Sequence, residues 1–221
     1  QQVCSGPECA EKCASCYLTH KRPPADKAVR TLDFMQDRQR VLHERFNQLD
    51  AAFAPSRHLA SVFERFGFPG IQVMPYGMPP MQPVAKTPHD GIVLGFVGQI
   101  IPRKGLDTLL DAMAGLFPSP VTLENWGTST ERGYFDIVVP SFMDNFPIVV
   151  QEAFMNNTPV IASRAGGIPE AVIDGVNGLL FTTGDADDLE RVLRTATSTP
   201  DRLASLRAGI PRVRLRVEVR V

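Results

Sequence analysis

"YFDIVVPSFMDNFPIVVQEAFMNNTPVIAS", residues 134–163, settles the fold class. It opens on an apolar run of strand length, breaks at Pro140, and resumes beyond Pro147 as an apolar stretch long enough for a helix. It closes on a second strand-length run, "PVIAS" at 159–163. Strand, loop, helix and strand in that order form the crossover that joins parallel neighbours of one sheet. Both strand runs are apolar throughout instead of alternating, so both faces are expected to be covered. Two acids stand inside the stretch. Asp144 lies in the loop, and Glu152 follows among Ile148, Val149, Val150, Ala153 and Phe154. A carboxylate in such company needs hydrogen-bond donors.

The same grammar extends in both directions. "IVLGFVG" (92–98), "VTLENWG" (121–127) and "GLLF" (178–181) read as further strands. "KGLDTLLDAMAGLF" (104–117) places Leu106, Leu109, Leu110, Met113 and Phe117 on one helical face, and "GIPEAVID" (167–174) reads as a short helix. Asp185 is positioned to cap a last helix through Leu189, Val192 and Leu193. Residues 92–208 are therefore expected to form an α/β domain, a Rossmann-like parallel sheet wound on both faces.

Upstream, Leu32, Met35, Leu42, Phe46 and Leu49 share a stripe that predicts a helix over about 27–49. A short strand at 51–54, a helix from Pro55-Ser56 to near Gly67, and a strand at 71–74 follow. Residues 1–26, rich in Cys, Pro, Lys and Glu, read as irregular. "PYGMPPMQPVAKTPHDG" (75–91) holds five prolines without periodicity and reads as a boundary. The organisation expected is a first segment over 1–78, a linker over 79–91, the α/β domain over 92–208 and a basic tail over 209–221. Within that tail, "RVRLRVEVRV" (212–221) alternates charged and apolar residues, which suits an edge strand, an unpacked basic tail or an artefact of the reading frame.

At 221 residues the chain suffices for one large domain or two small ones. A formal net charge of −1 gives no electrostatic case for nucleic acid or an anionic membrane. No apolar run approaches the roughly 18 residues needed to span a bilayer, so membrane association is expected to be peripheral at most. No signal peptide is visible, although a start at Gln1-Gln2 without Met leaves a processed or missing leader open.

In a doubly wound sheet, ligands bind beyond the carboxyl ends of the strands, so the loops there carry the chemistry. "GQIIPRKG" (98–105) sets Arg103 and Lys104 just before a helix start, where amides also point outward. That pair suits a phosphate; the plainer alternative is an exposed basic turn. Gly98 allows a close backbone approach. In the opening stretch, Pro147 is placed as a first helical residue, so the amides of Asn145, Phe146 and Ile148 lie near a free helix N-terminus, a second anion site. Asp144 suits sugar hydroxyls, and Glu152 suits the two donors of a cis-diol such as ribose. The competing readings are a helix cap for Asp144 and a cation partner for Glu152. "RAGGIPE" adds Gly166 and Gly167, which suit close contact with a ligand or a plain tight turn. Cations, amides, glycines and two hydroxyl-binding acids on one sheet edge together describe a nucleotide-diphosphate sugar.

These residues match a known family. "FVGQIIPRKGLDTLLDAM" and "DIVVPSFMDNFPIVVQEAFMNNTPVIASRAGGIPEAVIDGVNGLLF" resemble the donor-binding half of group 1 (family 4) retaining glycosyltransferases of the GT-B fold. "LDAAFAPSRHLASVFERFGFPGIQVMPYGM" resembles the last segment of their acceptor domain, so 1–78 would hold a remnant of it. The resemblance implies that Asp144 binds donor-sugar hydroxyls with the Asn145–Ile148 backbone, that Glu152 holds the ribose, and that Arg103 and Lys104 neutralise the departing diphosphate. It implies a UDP- or GDP-sugar donor, a sugar or lipid-linked acceptor, no cofactor for transfer, no nucleic-acid partner and a cytoplasmic setting. Transfer with retention would run by front-face attack, the leaving phosphate taking the acceptor's proton. The family signature is two glutamates separated by seven residues; here the first is the shorter Asp144. Gln99 stands where many relatives carry arginine. The path from "VTLENWG" to "YFDIVVPS" lacks the helix, strand and base-holding loop of relatives, and most of an acceptor domain is missing from 1–78. Two alternatives therefore stand beside a transferase: a nucleotide-sugar-binding module without turnover, and an epimerase or phosphorylase relative on the same fold.

All four cysteines, Cys4, Cys9, Cys13 and Cys16, fall within thirteen residues, and the final CxxC suits a structural zinc. Free thiols or local disulfides are the alternatives. "DADD" (185–188) carries a D-x-D but precedes a helix, where N-terminal negative charge accounts for it.

Overall fold

Burial on both faces of the central strands explains the architecture. The computed structural model describes residues 9–21, 24, 30–78, 92–116, 121–125, 136–198 and 200–210. They divide into two compact units, Gln1–Met74 and Pro75–Val221.

In the second unit the described strands are β3 (Ile92–Phe96), β4 (Val121–Asn125), β5 (Asp136–Val139), β6 (Val160–Ser163) and β7 (Gly178–Phe181). They pair in parallel throughout, in the order β4-β3-β5-β6-β7. Leu94, Phe96, Val138, Ile161, Leu179 and Phe181 point to one face. There they pack against α4 (Leu106–Gly115), α7 (Ala186–Thr197) and α8 (Pro200–Gly209) through Leu109, Met113, Leu189, Leu193 and Leu206. The intervening Ile137, Val139, Val160, Ala162 and Leu180 point to the other face. Val150 and Ala153 of α5 (Ile148–Met155) and Ile168 and Ala171 of α6 (Ile168–Ala171) cover them. Two-faced burial is why the strands read as unbroken apolar runs, and the parallel α/β expectation is met.

The outer edge of β7 is closed by side chains. The Leu180 amide donates to Asp174 Oδ1 at 2.9 Å, and the Thr182 amide donates to Asp188 Oδ2 at 2.7 Å. Carboxylates so placed block pairing with another chain. The Thr182 amide is the main reason that the Asp188 carboxyl lies below its ordinary range, with Arg191 helping. Asp185 caps α7 as expected, its side chain accepting from the Asp188 amide at 2.9 Å.

In the first unit, β1 (Ala52–Ala54) and β2 (Ile71–Val73) pair in parallel across α3 (Arg57–Arg65), a small βαβ crossover. Ser56 caps α3, its hydroxyl oxygen accepting from the Leu59 amide at 3.1 Å. Of the stripe expected over 27–49, the described helix is α2 (Thr31–Phe46). Its Phe46 meets the Phe68 ring edge-on, and its His43 stacks on Phe68 with centroids 4.3 Å apart. One expectation needs correction: the cysteine-rich stretch is not irregular, because Ala10–Lys21 forms helix α1. Ala10 and Ala14 are buried, and α1 packs against α2. Ala, Glu, Lys and Leu in that stretch favour a helix, and tertiary packing outweighs its weak amphipathic pattern. The expected linker over 79–91, the interval 126–135 and the tail over 212–221 lie outside the described residues.

Candidate functional site

The strand order fixes where a ligand should sit. From β3 the chain steps outward to β4, then returns to β5 on the opposite side of β3. The loops leaving β3 and β5 therefore diverge around a crevice at the switch point, the usual ligand position in open α/β sheets. The first loop carries Arg103 and Lys104, and the second carries Asp144.

The structure joins these loops. Lys104 Nζ lies 2.7 Å from Asp144 Oδ2, and the two side chains are only 24% and 14% exposed. Lys104 is placed by a 3-10 turn, Pro102–Lys104, and the Phe142 amide donates to the Arg103 carbonyl at 2.9 Å. Gly105 follows with φ +71, and a Cβ there would stand 1.9 Å from the Pro140 carbonyl oxygen. Only glycine permits that contact. Arg103 itself is exposed.

On its other side the acid loop is held by the turn after β6. The Gly167 amide donates to the Asp144 carbonyl at 2.9 Å. Gly166, at φ +56, approaches the same carbonyl so closely that a Cβ would lie 2.0 Å from its oxygen. The glycine pair suited close contact with a ligand or a plain tight turn; Gly166 makes a close approach to the acid loop. Ser163 Oγ, fully buried, donates to the Ser141 carbonyl at 2.5 Å. Removing that donor leaves a buried carbonyl unsatisfied, so Ser163→Ala is expected to cost about 1–2 kcal/mol, read as a lower midpoint in urea unfolding with unchanged slope.

Pro147 departs by one position from the expectation. It takes φ −71 and ψ 117, so it is the extended N-cap and Ile148 is the first helical residue. The amides of Asn145, Phe146 and Ile148 still find no backbone acceptor among the described residues. Asn145 and Ile148 are exposed, whereas Phe146 is buried and meets Tyr76 edge-on at 6.1 Å. Glu152, one turn further along α5, is half-buried, and no cation or donor reaches its carboxylate among the described residues. Burial alone pushes its carboxyl above the ordinary value. Gly98 and Gln99 lie in the loop leaving β3, Gln99 exposed. A Cβ on Gly98 would meet only the Phe96 ring, at an ordinary 3.6 Å.

The loops that the sequence singled out meet in the structure, through contacts that the sequence did not reveal. The Lys104–Asp144 pair spans forty positions, and the Ser163–Ser141 bond has no local signal. A groove of about 580 Å³, lined by Arg164, Asp174, Asp188 and Arg191 among others, contains none of the predicted site residues. Two of its guanidinium groups are engaged by neighbouring acids, Arg164 by Asp174 and Arg191 by Asp188. The convergence of loops at the switch point outweighs its volume as a sign of chemistry. The zinc expectation finds no support: among the described residues no group of three or more His, Cys, Asp or Glu is placed to hold a metal. Cys13 and Cys16 lie in helix α1, Cys9 stands just before it, and Cys4 lies outside the described residues. No helix among the described residues is long and apolar enough to cross a membrane.

Residues 137–210 match the family model described as "Glycosyl transferases group 1". A D-inositol 3-phosphate glycosyltransferase of Saccharomonospora viridis is 32% identical over 166 residues, covering 56% of this chain and 38% of that protein. Among solved structures, Anabaena Alr3699/HepE in complex with UDP-glucose superposes with a TM-score of 0.69 at 21% identity, covering 80% of this chain and 62% of that one. Sucrose-phosphate synthase from Thermosynechococcus elongatus gives a TM-score of 0.68 at 22% identity, covering 80% and 57%. The fold is that of GT-B glycosyltransferase domains, and the match covers well under half the length of the curated relative.

Proposed function

We propose that the Pro75–Val221 unit, whose residues 137–210 match the group 1 glycosyltransferase model, binds a nucleotide-diphosphate sugar and serves sugar transfer with retention. The observation that carries this reading is the acid loop clamped between the 98–105 and 164–167 turns, with Asp144 held at the switch point. The roles follow from chemistry. Arg103, Lys104 and the free amides at the start of α5 face the diphosphate, where a developing negative charge is stabilised without a metal. Asp144 accepts from donor-sugar hydroxyls. Glu152 meets no donor among the described residues, and the ribose diol supplies two. The Anabaena protein was solved with UDP-glucose, which makes a UDP-sugar the first donor to test. The acceptor is a sugar or a lipid-linked sugar, and the setting is the cytoplasm.

The test is calorimetric titration of the chain with UDP, GDP and UDP-glucose. UDP-glucose is expected to bind more tightly than UDP, and Asp144→Ala to remove that difference, about tenfold for one charged hydrogen bond. No binding of any of the three compounds would sink the proposal. Binding without release of free sugar or transfer selects the second reading, a nucleotide-sugar-binding module.

A further inference from the structure

We infer that Tyr76 is a specificity-determining residue of the donor site, its ring packing on the C–H face of the transferred sugar while Asp144 takes the hydroxyls. This assignment rests on the donor-site reading above. Tyr76 stands in the proline-rich stretch that the sequence marks as a boundary. The structure carries it onto the acid loop. Its ring meets Phe146 edge-on, with centroids 6.1 Å apart and planes at 70°, an arrangement that aromatic pairs prefer. Phe146 is the buried member of the pair at 5% exposure, and Tyr76 is the open one at 50%.

The place of Phe146 decides which part of the ligand Tyr76 can meet. Glu152, for the ribose, lies within α5, and the amides for the diphosphate lie at its start. Asp144, for the sugar, precedes the helix, and Phe146 stands between Asp144 and the N-cap Pro147. A ring resting on Phe146 is therefore at the sugar end of the site. An edge-on pair occupies at most one face of either ring, so Phe146 leaves Tyr76 a free face. The space beside the next residue is open too, since a Cβ on Gly77 would meet nothing within 4 Å. The chemistry of a hexose supplies the occupant. Its hydroxyls lie around the rim, and C–H groups occupy its faces. Acids and amides satisfy the hydroxyls and do nothing for the faces. The electron-rich face of an aromatic ring attracts the weakly positive C–H groups and removes them from water. Met143, exposed beside Asp144, adds apolar surface to the same loop.

Calorimetric titration with UDP and UDP-glucose separates the sugar from the nucleotide. Tyr76→Phe keeps the ring and is expected to bind both compounds as wild type does. Tyr76→Leu keeps apolar bulk without a ring. It is expected to bind UDP-glucose about tenfold more weakly, the yield of one aromatic contact and its burial, with UDP affinity unchanged. Proton NMR reads the contact itself. Sugar C–H signals of bound UDP-glucose should move upfield in the ring current of wild type and Tyr76→Phe, and should not in Tyr76→Leu. A Tyr76→Leu protein that holds UDP-glucose as tightly as wild type overturns the inference and leaves the donor site standing. Equal losses for UDP and UDP-glucose also overturn it, because Tyr76 would then support the loop and not the sugar. Failure of wild type to bind either compound overturns the donor site instead. Should Tyr76→Leu not fold, wild type and Tyr76→Phe decide between them. An Overhauser contact from sugar C–H protons to a tyrosine ring is expected in wild type and lost in Tyr76→Phe. Its absence from wild type, or its survival in Tyr76→Phe, refutes the assignment.

Discussion

Gly166→Ala is expected to destabilise the Pro75–Val221 unit by about 2–4 kcal/mol and to abolish nucleotide-sugar binding together with the fold of the acid loop. Two costs combine. A φ of +56 strains any residue with a Cβ, by about 1–2 kcal/mol. The new methyl would also stand 2.0 Å from the Asp144 carbonyl oxygen, a backbone atom with no freedom to swing aside. Relief requires the 140–147 loop to move, which breaks the Gly167–Asp144 hydrogen bond and draws Asp144 from Lys104. Gly175→Ala isolates the first cost, because its φ is +75 but its Cβ would meet only Arg202 Nη2 at 3.8 Å. That variant is expected to lose about 1 kcal/mol and no more. Equal losses in the two variants, measured by denaturant unfolding, would show that the acid loop does not lean on Gly166. Gly105→Ala, whose Cβ would stand 1.9 Å from the Pro140 carbonyl oxygen, should behave like Gly166→Ala from the opposite side.

These clamps explain what could be read in the sequence and what could not. Strand identity is a local property of runs such as Ile137–Val139 and Val160–Ala162, and burial on both faces leaves its mark in composition. Asp144 and Glu152 were visible for a similar reason: a loop acid and a helix acid in apolar company are locally anomalous. The helix Ala10–Lys21 was missed because its two cysteines and one serine carry little periodic signal, and its stability comes from packing on Thr31–Phe46. The atom that Gly166 approaches could not be read, because a glycine announces close approach without naming the approaching atom. The partner of Lys104 lies forty residues away, a distance over which only the sheet order decides neighbours. Pro147 shows the finest limit, since a proline fits both the N-cap and the first turn and only its ψ of 117 tells them apart.

Glu152→Ala should weaken both UDP and UDP-glucose by about a hundredfold, the value of two charged hydrogen bonds from a ribose diol. Glu152→Gln should weaken them less, about tenfold, because an amide oxygen still accepts one bond without full charge. The same carboxyl makes a prediction about pH. Burial raises its folded-state pKa above the unfolded value, so the empty protein gains stability from the protonated form. That contribution is fully present below the unfolded carboxylate range and is lost as pH rises through the raised folded value. At neutral pH the ionised carboxylate therefore destabilises the empty site, and Glu152→Gln should unfold at a higher temperature than wild type. The advantage should shrink as pH falls towards the ordinary carboxylate range. Bound ribose reverses the sign, because hydroxyl donors favour the ionised form. Nucleotide affinity should then rise with pH through the raised pKa and level off above it, in wild type but not in Glu152→Gln. A nucleotide affinity with the same pH profile in both proteins would place the ribose elsewhere. The cost that Glu152 imposes on the empty fold is thus the physical trace of its proposed role: a carboxylate held half-buried without donors is one whose donors arrive with the ligand.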